Sequence, residues 1–261
     1  MLYAFDVALQ HIEASVVARK ERITGSRGTW AGHGEPRNRL LEALSADDWG
    51  CVEPLLERVH LTASQTVESP GEASPWLHFP ESAIISVVNT LADGRRIEVG
   101  TVGNEGMSGL AAWLEAEAGA DHTLCRVAGN ALRGRAVDVI AMSMRRPAVR
   151  RLLSRYAGAY LTLVAQGTAC NSIHGLEQRC ARWLLMTHDR LADRKLLLTR
   201  EFLAIMLGVP PAGATLAIRA LRAHGLIRAS HERIDIIDRA GLERASCECY
   251  QRVRDQFDRL A

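Results

Sequence analysis

Lysine is almost absent from this sequence: Lys20 and Lys195 are the only two, and arginine carries nearly all of the positive charge. The formal net charge is only +2, so no chain-wide excess of one sign points to a polyanionic partner. Arginine suits phosphate recognition, but a bias this general belongs to composition before it belongs to a site. No run of about 18 apolar residues occurs, the length a transmembrane helix requires, so no membrane span is expected. The opening MLYAFDVALQHIEASVVARKER places Asp6, His11 and Glu13 where a secretory signal needs unbroken apolar sequence. A cytoplasmic location follows, and with it reduced thiols for the six cysteines rather than a disulfide frame. No nucleophile or phosphate-binding loop accompanies His188-Asp189, so no catalytic residue and no enzyme are expected. A helix cap or an interdomain hydrogen bond is the expected role of that pair.

What is present suits a soluble globular chain: 48% hydrophobic and 24% charged residues over 261 positions, enough for two modest domains. Met1–Arg22 has an amphipathic helical pattern, and Gly25–Glu35 is a glycine-rich linker. Arg37–His60 reads as one or two helices. From Leu61 to Arg135 short apolar runs alternate with turn residues. Ile84–Thr90 and Arg96–Val102 flank Ala92-Asp93-Gly94-Arg95, a strong hairpin signal. Cys125–Ala128 and Ala131–Arg135 are further strands. Several such strands suggest an antiparallel β-roll.

A helical region follows. Asp138–Met144 stops before Pro147, which opens a second helix running to about Ser172. Leu153, Tyr156, Tyr160, Leu163, Gly167, Cys170 and His174 recur at alternating threes and fours, the seam of a coiled coil. The first six are therefore the candidate dimer interface; the competing reading packs this helix against its own domain. Leu176–Leu191 is a further helix, and Gly241–Leu260 reads as a single C-terminal helix.

Leu198–Ile227 is the most informative stretch. Thr199 is a plausible N-cap, Glu201 lies in the first turn where the helix dipole favours an anion, and Phe202, Leu203, Met206 and Leu207 form an apolar stripe. Gly208 supplies the positive φ of a C-cap. After Val209-Pro210-Pro211 a second helix runs from about Ala212 to His224, with Leu216, Ile218 and Leu221, and Ala217 and Ala220, for packing. Helix, glycine-containing turn, helix is the helix-turn-helix pattern, and Arg228–Asp238 suits a β-hairpin wing.

With Arg37–Leu41 (RNRLL), Phe79–Ser86, Glu105–Leu110, Cys170–His174, Arg182–Arg190 and Asp238–Tyr250 (DRAGLERASCECY), this stretch resembles the Crp/Fnr family of transcription regulators over roughly Pro36 to Leu260. The resemblance implies an α+β fold: an N-terminal antiparallel, cyclic-nucleotide-binding-like β-roll, a long dimerisation helix and a C-terminal winged helix-turn-helix. The expected divisions are 1–36 (extension and linker), 37–137 (sensor), 138–174 (dimerisation region) and 175–261 (DNA-binding domain and C-terminal helix). Family members usually begin near RNRLL, so the extension is a departure: a tail or an early start codon on one reading, a partner-binding or dimer-capping helix on the other. The implied partners are double-stranded DNA, a second copy of the chain, a small-molecule effector, and RNA polymerase.

In cyclic-nucleotide binders of this kind, a helix N-terminus and an arginine hold the phosphate while a glutamate holds the ribose. The corresponding cassette here is Gly103–Leu114 with Ala120–Val127. Ser108-Gly109 replaces the Gly-Glu pair and His122-Thr123 the Arg-Ser/Thr pair; Glu105 lies three residues early. Loss of the arginine removes about 1.5–3 kcal/mol of charge-assisted hydrogen bonding, roughly a 10–150-fold loss of affinity. Cyclic AMP is therefore not the expected effector. Gly103, Gly106, Ser108, Gly109, His122 and Thr123 are the candidate pocket for another small ligand; the competing reading is a filled, vestigial pocket.

The second helix of the motif should enter the major groove, yet Pro210, Pro211, Ala212, Gly213, Ala214 and Thr215 occupy its start. None of them offers the bidentate readout of Arg, Asn or Gln, and Gly213 weakens a helix by about 1 kcal/mol relative to Ala. Phosphate contacts are expected from Arg200, Thr215, Arg219, Arg222 and the wing residues Arg228, His231 and Arg233, with Ala212 or Ala214 against thymine methyls. From Leu176 onward, 15 Arg or Lys face 11 Asp or Glu, an excess that permits DNA binding without demanding it. The rival is a sensing or dimerisation module that has lost sequence-specific binding. No cofactor is expected. No metal is expected either: Cys170 and His174 are one helical turn apart, but Cys247 and Cys249 on one helix would point their thiols about 200° apart. The N-terminal cysteine cluster of oxygen-sensing relatives is missing, since Met1–Gly50 contains no cysteine.

Overall fold

The computed structural model describes residues 37–191, 196–230 and 233–260, apart from the side chains of Leu197 and Glu201. The expected N-terminal helix and linker, the wing residue His231 and the side chain of Glu201 lie outside the described residues.

Two short helices, α1 (Arg39–Glu42) and α2 (Ala46–Val52), open the described chain. Asn38 caps α1, accepting from Leu41 N, and its buried amide donates to the carbonyls of Pro80 and Gly106, both at 2.8 Å. A 3₁₀ turn with Pro54 then ends the helical run, and Leu56–Leu61 is β1. The expectation of helix through His60 is corrected here: Leu56 and Leu61 are the buried ends of a strand paired with a later one.

The strands β2 (Thr66–Glu68), β3 (Trp76–Pro80), β4 (Ile84–Thr90) and β5 (Arg96–Val102) follow. After α3 (Leu110–Trp113) come β6 (His122–Val127) and β7 (Gly129–Arg135). They form two antiparallel sheets, ordered β1-β7-β3 and β2-β6-β4-β5. The β4–β5 hairpin has the expected bounds, closing at Thr90 opposite Arg96, with Gly94 at φ +80° in its turn.

Helices α4 (Ala136–Arg145) and α5 (Pro147–Ile173) then lead to α6 (Leu176–Asp189). Next come β8 (Leu196–Leu197), α7 (Arg200–Leu207), α8 (Pro211–Ala223), β9 (Ile227–Ala229) and β10 (Arg233–Ile236). The short strands pair antiparallel in the order β8-β10-β9, the wing. The expected single C-terminal helix is instead two, α9 (Arg239–Ala245) and α10 (Cys249–Asp258), broken at Ser246–Glu248. The whole is α+β, as expected.

One core joins the first helices, the β1-β7-β3 sheet, α5 and the C-terminal helix through Leu40, Phe79, Leu132, Leu153, Tyr156 and Phe257. A second joins α6, α7, α8 and the wing through Trp183, Leu184, Leu203, Ile218, Leu221 and Ile234. The segments behind the family resemblance meet in pairs. Glu105 forms a buried ion pair with Arg190 at 2.7 Å. Asp189 accepts from Tyr250 Oη at 2.8 Å and pairs with Arg239 at 2.7 Å. The structural hydrogen bond expected for His188-Asp189 is therefore present.

Candidate nucleic-acid interface and sensor cassette

Thr199 caps α7 by accepting from Phe202 N at 3.3 Å. Gly208 ends the helix at φ +62°, a left-handed conformation that costs glycine nothing. Pro211 then opens α8 at its first position, where its missing N–H is no loss. Ala214, Ala217, Ile218 and Leu221 are buried against α7 and α6. Gly213 has a packing reason: a methyl there would lie 3.3 Å from Leu176 Cδ2.

The opposite face of α8 meets solvent. Ala212, Arg219 and Arg222 are exposed, and among the described residues neither arginine has an ion-pair partner. Leu216 joins them at 63% exposure, correcting its expected place in the core. Thr215 is half-buried and its hydroxyl donates to Pro211 O at 3.0 Å, which leaves the oxygen free to accept. Arg233, in the wing, is held by Asp235 at 2.6 Å, so a phosphate would compete with an internal carboxylate. Arg200 is half-buried, and its Nε is buried without a hydrogen-bond partner among the described residues. Arg228 is exposed on β9.

In the cassette the direction of two residues is corrected. A side chain at Gly103 would lie 2.7 Å from Arg190 Cγ, and one at Gly106 would overlap the Tyr156 ring. These glycines make room for side chains of the same chain, not for a ligand. Gly109, at φ +86°, caps α3, and its N–H donates to Glu68 Oε1 at 2.8 Å. A carboxylate of the chain thus stands at the start of α3. Burial pushes the Glu68 carboxyl up, offset by the hydrogen bonds from Gly109 and Ser108. Ser108 bridges to His78, whose imidazole is lowered to about 4 by burial and by the charge of Arg133. Thr123 is buried opposite Glu68, and His122 lies 3.1 Å from Thr66 Oγ1. Glu105 is committed to its buried ion pair with Arg190.

Residues 178–245 match the family model of the Crp-like helix-turn-helix domain. This chain carries a Crp-like helix-turn-helix. Solved structures agree on the wider fold. A CRP-family transcriptional regulator of Thermus thermophilus is similar at TM-score 0.60 and 22% identity, covering 72% of this chain and 96% of its own. FixK2 of Bradyrhizobium japonicum gives 0.65 and 15%, covering 74% and 98%. The c-di-GMP-responsive regulator CLP of Xanthomonas campestris gives 0.60 and 16%, covering 74% and 99%. No curated protein sequence matches the chain. The fold is that of the Crp/Fnr transcriptional regulators. No described helix is long and apolar enough to cross a membrane.

In this Crp/Fnr fold the heptad seam of α5 turns inward, which corrects the expected dimer face. Leu153, Tyr156, Leu163 and Cys170 are buried within the single chain. Tyr156 donates to Met107 O at 2.8 Å, and Tyr160 packs over Gly100. Gly167 lines a cavity of about 110 Å³ between β5, α5, α6 and α7, together with Glu98, Arg182 and Trp183. Arg182 Nε is buried there without a hydrogen-bond partner among the described residues. Beside this cavity the roll touches the Crp-like domain directly. Arg126 of β6 lies 3.0 Å from the centroid of the Phe202 ring, and Trp183 Nε1 donates to Glu98 at 3.0 Å. Burial lowers the Arg126 guanidinium to about 9 despite the charge of Glu98.

The break between α9 and α10 has a further effect. Cys247 lies in the turn and Cys249 begins α10, so their thiols converge on Cys170 and His174 instead of diverging. The premise behind expecting no metal, one continuous helix, does not hold. No signal in the spacing alone marked that break.

Proposed function

We propose that the chain is a homodimeric, DNA-binding transcriptional regulator, with residues 37–137 as sensor, 138–174 as the dimerising link and 175–261 as the DNA-binding part. The observation that carries this reading is the outward face of α8. In a Crp-like helix-turn-helix, Ala212, Thr215, Leu216, Arg219 and Arg222 face solvent or lie half-exposed, and neither arginine has an ion-pair partner among the described residues. The arginines anchor on phosphates, while Ala212 and Leu216 favour thymine methyls, so selectivity is modest and comes without bidentate base contacts. RNA polymerase is the expected protein partner at a promoter.

A second copy binds along the outer face of α5. Ser154, Gly158, Leu161, Ala165 and Thr168 follow a four-three-four-three spacing there and are all exposed. Such a dimer sets the two α8 helices on successive major grooves, about 34 Å apart. The effector is a small molecule other than a cyclic nucleotide, a reading supported by the Glu68 carboxylate that already accepts from Gly109 N–H at the start of α3. The cavity at Gly167 and Arg182 is the better place for it, because it touches the roll, the long helix and the helix-turn-helix together.

Selection of fragmented genomic DNA by the purified protein tests this reading. Enrichment of a two-fold-symmetric site supports it. Absence of binding at low salt, with and without cell extract as effector source, overturns it and leaves the sensing module that has lost DNA binding. For the dimer, Leu161→Glu is expected to yield monomers in analytical ultracentrifugation; an unchanged dimer contradicts the α5 interface.

A further inference from the structure

Cys170 lies in the last turn of α5, and His174 is the C-cap that follows it, its backbone N–H donating to Cys170 O. Cys170 Sγ is 3.5 Å from Cys247 Sγ, and Cys249 Sγ is 3.5 Å from His174 Nδ1. All four donor atoms lie within 4.8 Å of one another. A tetrahedral ion with metal–sulfur bonds of about 2.3 Å and metal–nitrogen bonds of about 2.0–2.1 Å sets sulfur–sulfur distances near 3.8 Å and sulfur–nitrogen distances near 3.6 Å. The two 3.5 Å spacings lie within about 0.3 Å of that single-ion geometry, and the 4.8 Å limit brings the remaining pairs within about 1 Å of it. A polynuclear iron–sulfur cluster would hold its ligands farther apart.

The surroundings also fit. The three thiols are buried as a small cluster of their own, apart from both large cores. His174 Nε2 lies 3.3 Å from Glu248 Oε2, the carboxylate–histidine arrangement that orients a metal-bound imidazole and leaves Nδ1 to coordinate. Gln166 Nε2 donates to Cys249 Sγ at 3.0 Å, as outer donors do to a thiolate ligand. The charges of Arg179 and Arg182 act on Cys170 and offset the surplus negative charge of three thiolates around a divalent ion.

We propose that Cys170, His174, Cys247 and Cys249 form a tetrahedral site for one thiophilic divalent cation, zinc above others. Three sulfurs and one nitrogen favour zinc over calcium or magnesium, and four protein ligands leave no open position, so the site is structural. It clips the end of α5, which lies against the roll, to the two helices that follow the wing. The ion would therefore fix how the last part of the Crp-like region joins the long helix.

The test uses the full chain, purified under reductant, stripped with a chelator and titrated with Co²⁺. Saturation at one equivalent is expected, with thiolate-to-cobalt charge transfer and the visible bands of a tetrahedral ion, displaced by Zn²⁺. Cys247→Ser should abolish the charge-transfer signal or weaken binding strongly, while Cys51→Ser, outside the cluster, should leave it intact. Glu248→Gln changes an exposed side chain and keeps the fold; it should weaken Zn²⁺ binding about 10–100-fold. Chelation should also lower the melting temperature of the wild-type chain. A reduced wild-type chain without a saturable thiolate signal overturns the proposal, as does an unchanged signal in Cys247→Ser. Recovery of only a Cys170–Cys247 disulfide on air exposure, with no metal bound when reduced, likewise overturns it in favour of a thiol pair.

Discussion

Two helix starts in this molecule meet opposite circumstances. At α3, in the roll, the backbone N–H of Gly109 is already taken by the Glu68 carboxylate, and neighbouring glycines are covered by Arg190 and Tyr156. At α8 no side chain caps the helix start, and among the described residues Arg219 and Arg222, exposed on its outer face, have no ion-pair partner. Both segments carry sequence expected to bind a ligand. The difference teaches that a retained backbone frame says little about a ligand until the occupants of the frame are known. The cassette supplies its own anion and its own packing. On the proposed reading, the helix-turn-helix leaves both to DNA.

The comparison can be broken from the inside of the roll. The largest effect is expected from Arg190→Ala, which leaves Glu105 charged and buried without its partner. Such a loss costs about 3–5 kcal/mol, to be read by denaturant unfolding; a loss below about 1 kcal/mol would mean the pair is solvated and the cassette more open than described. Next comes acid. His78 is neutral in the fold, with its imidazole lowered to about 4, so between the unfolded value of about 6.5 and that point the unfolded chain binds more protons. Stability should fall as pH drops through this window, by about 3 kcal/mol in all, and His78→Leu should flatten that limb of the pH–stability curve. Gly106→Ala should cost about 1–3 kcal/mol through overpacking against Tyr156, and Tyr156→Leu in the same chain should recover part of the loss. A site built to hold a ligand at Gly106 would tolerate the methyl and show no such rescue. The smallest effect sharpens the other side: Thr199→Ala removes the cap of α7 and should cost about 1 kcal/mol, with DNA affinity falling no more than the lost stability explains.

Much of the frame was legible because local chemistry decides it. The β4–β5 hairpin follows from Asp93-Gly94, the end of α7 from Gly208, and the start of α5 from Pro147. Other features depend on partners that spacing does not name. The seam of α5 has the right period, but a three-four repeat marks which face is apolar and not whether the roll or a second copy covers it. Gly103 and Gly106 carry the same signal whether a ligand or an aromatic ring approaches them. Leu56–Leu61 continued an apolar helical pattern and became a strand because Pro54 ends the helix and β7 offers an edge. Leu216 looked like core because it is apolar, yet it lies on the face of α8 that carries Arg219. The break at Ser246–Glu248 hid the convergence of the thiols, since the sequence on both sides reads as helix.

The most direct test of the contrast is the salt dependence of DNA binding by the wild-type chain and by Arg219→Ala/Arg222→Ala. Each phosphate contact contributes about 0.9 to the slope of log K against log salt. The double variant should bind all sequences more weakly, with a slope shallower by about one per contact removed, while keeping the wild-type melting temperature. Equal slopes and affinities for the two proteins would contradict the account, because the outward face of α8 would then not be the surface that meets DNA.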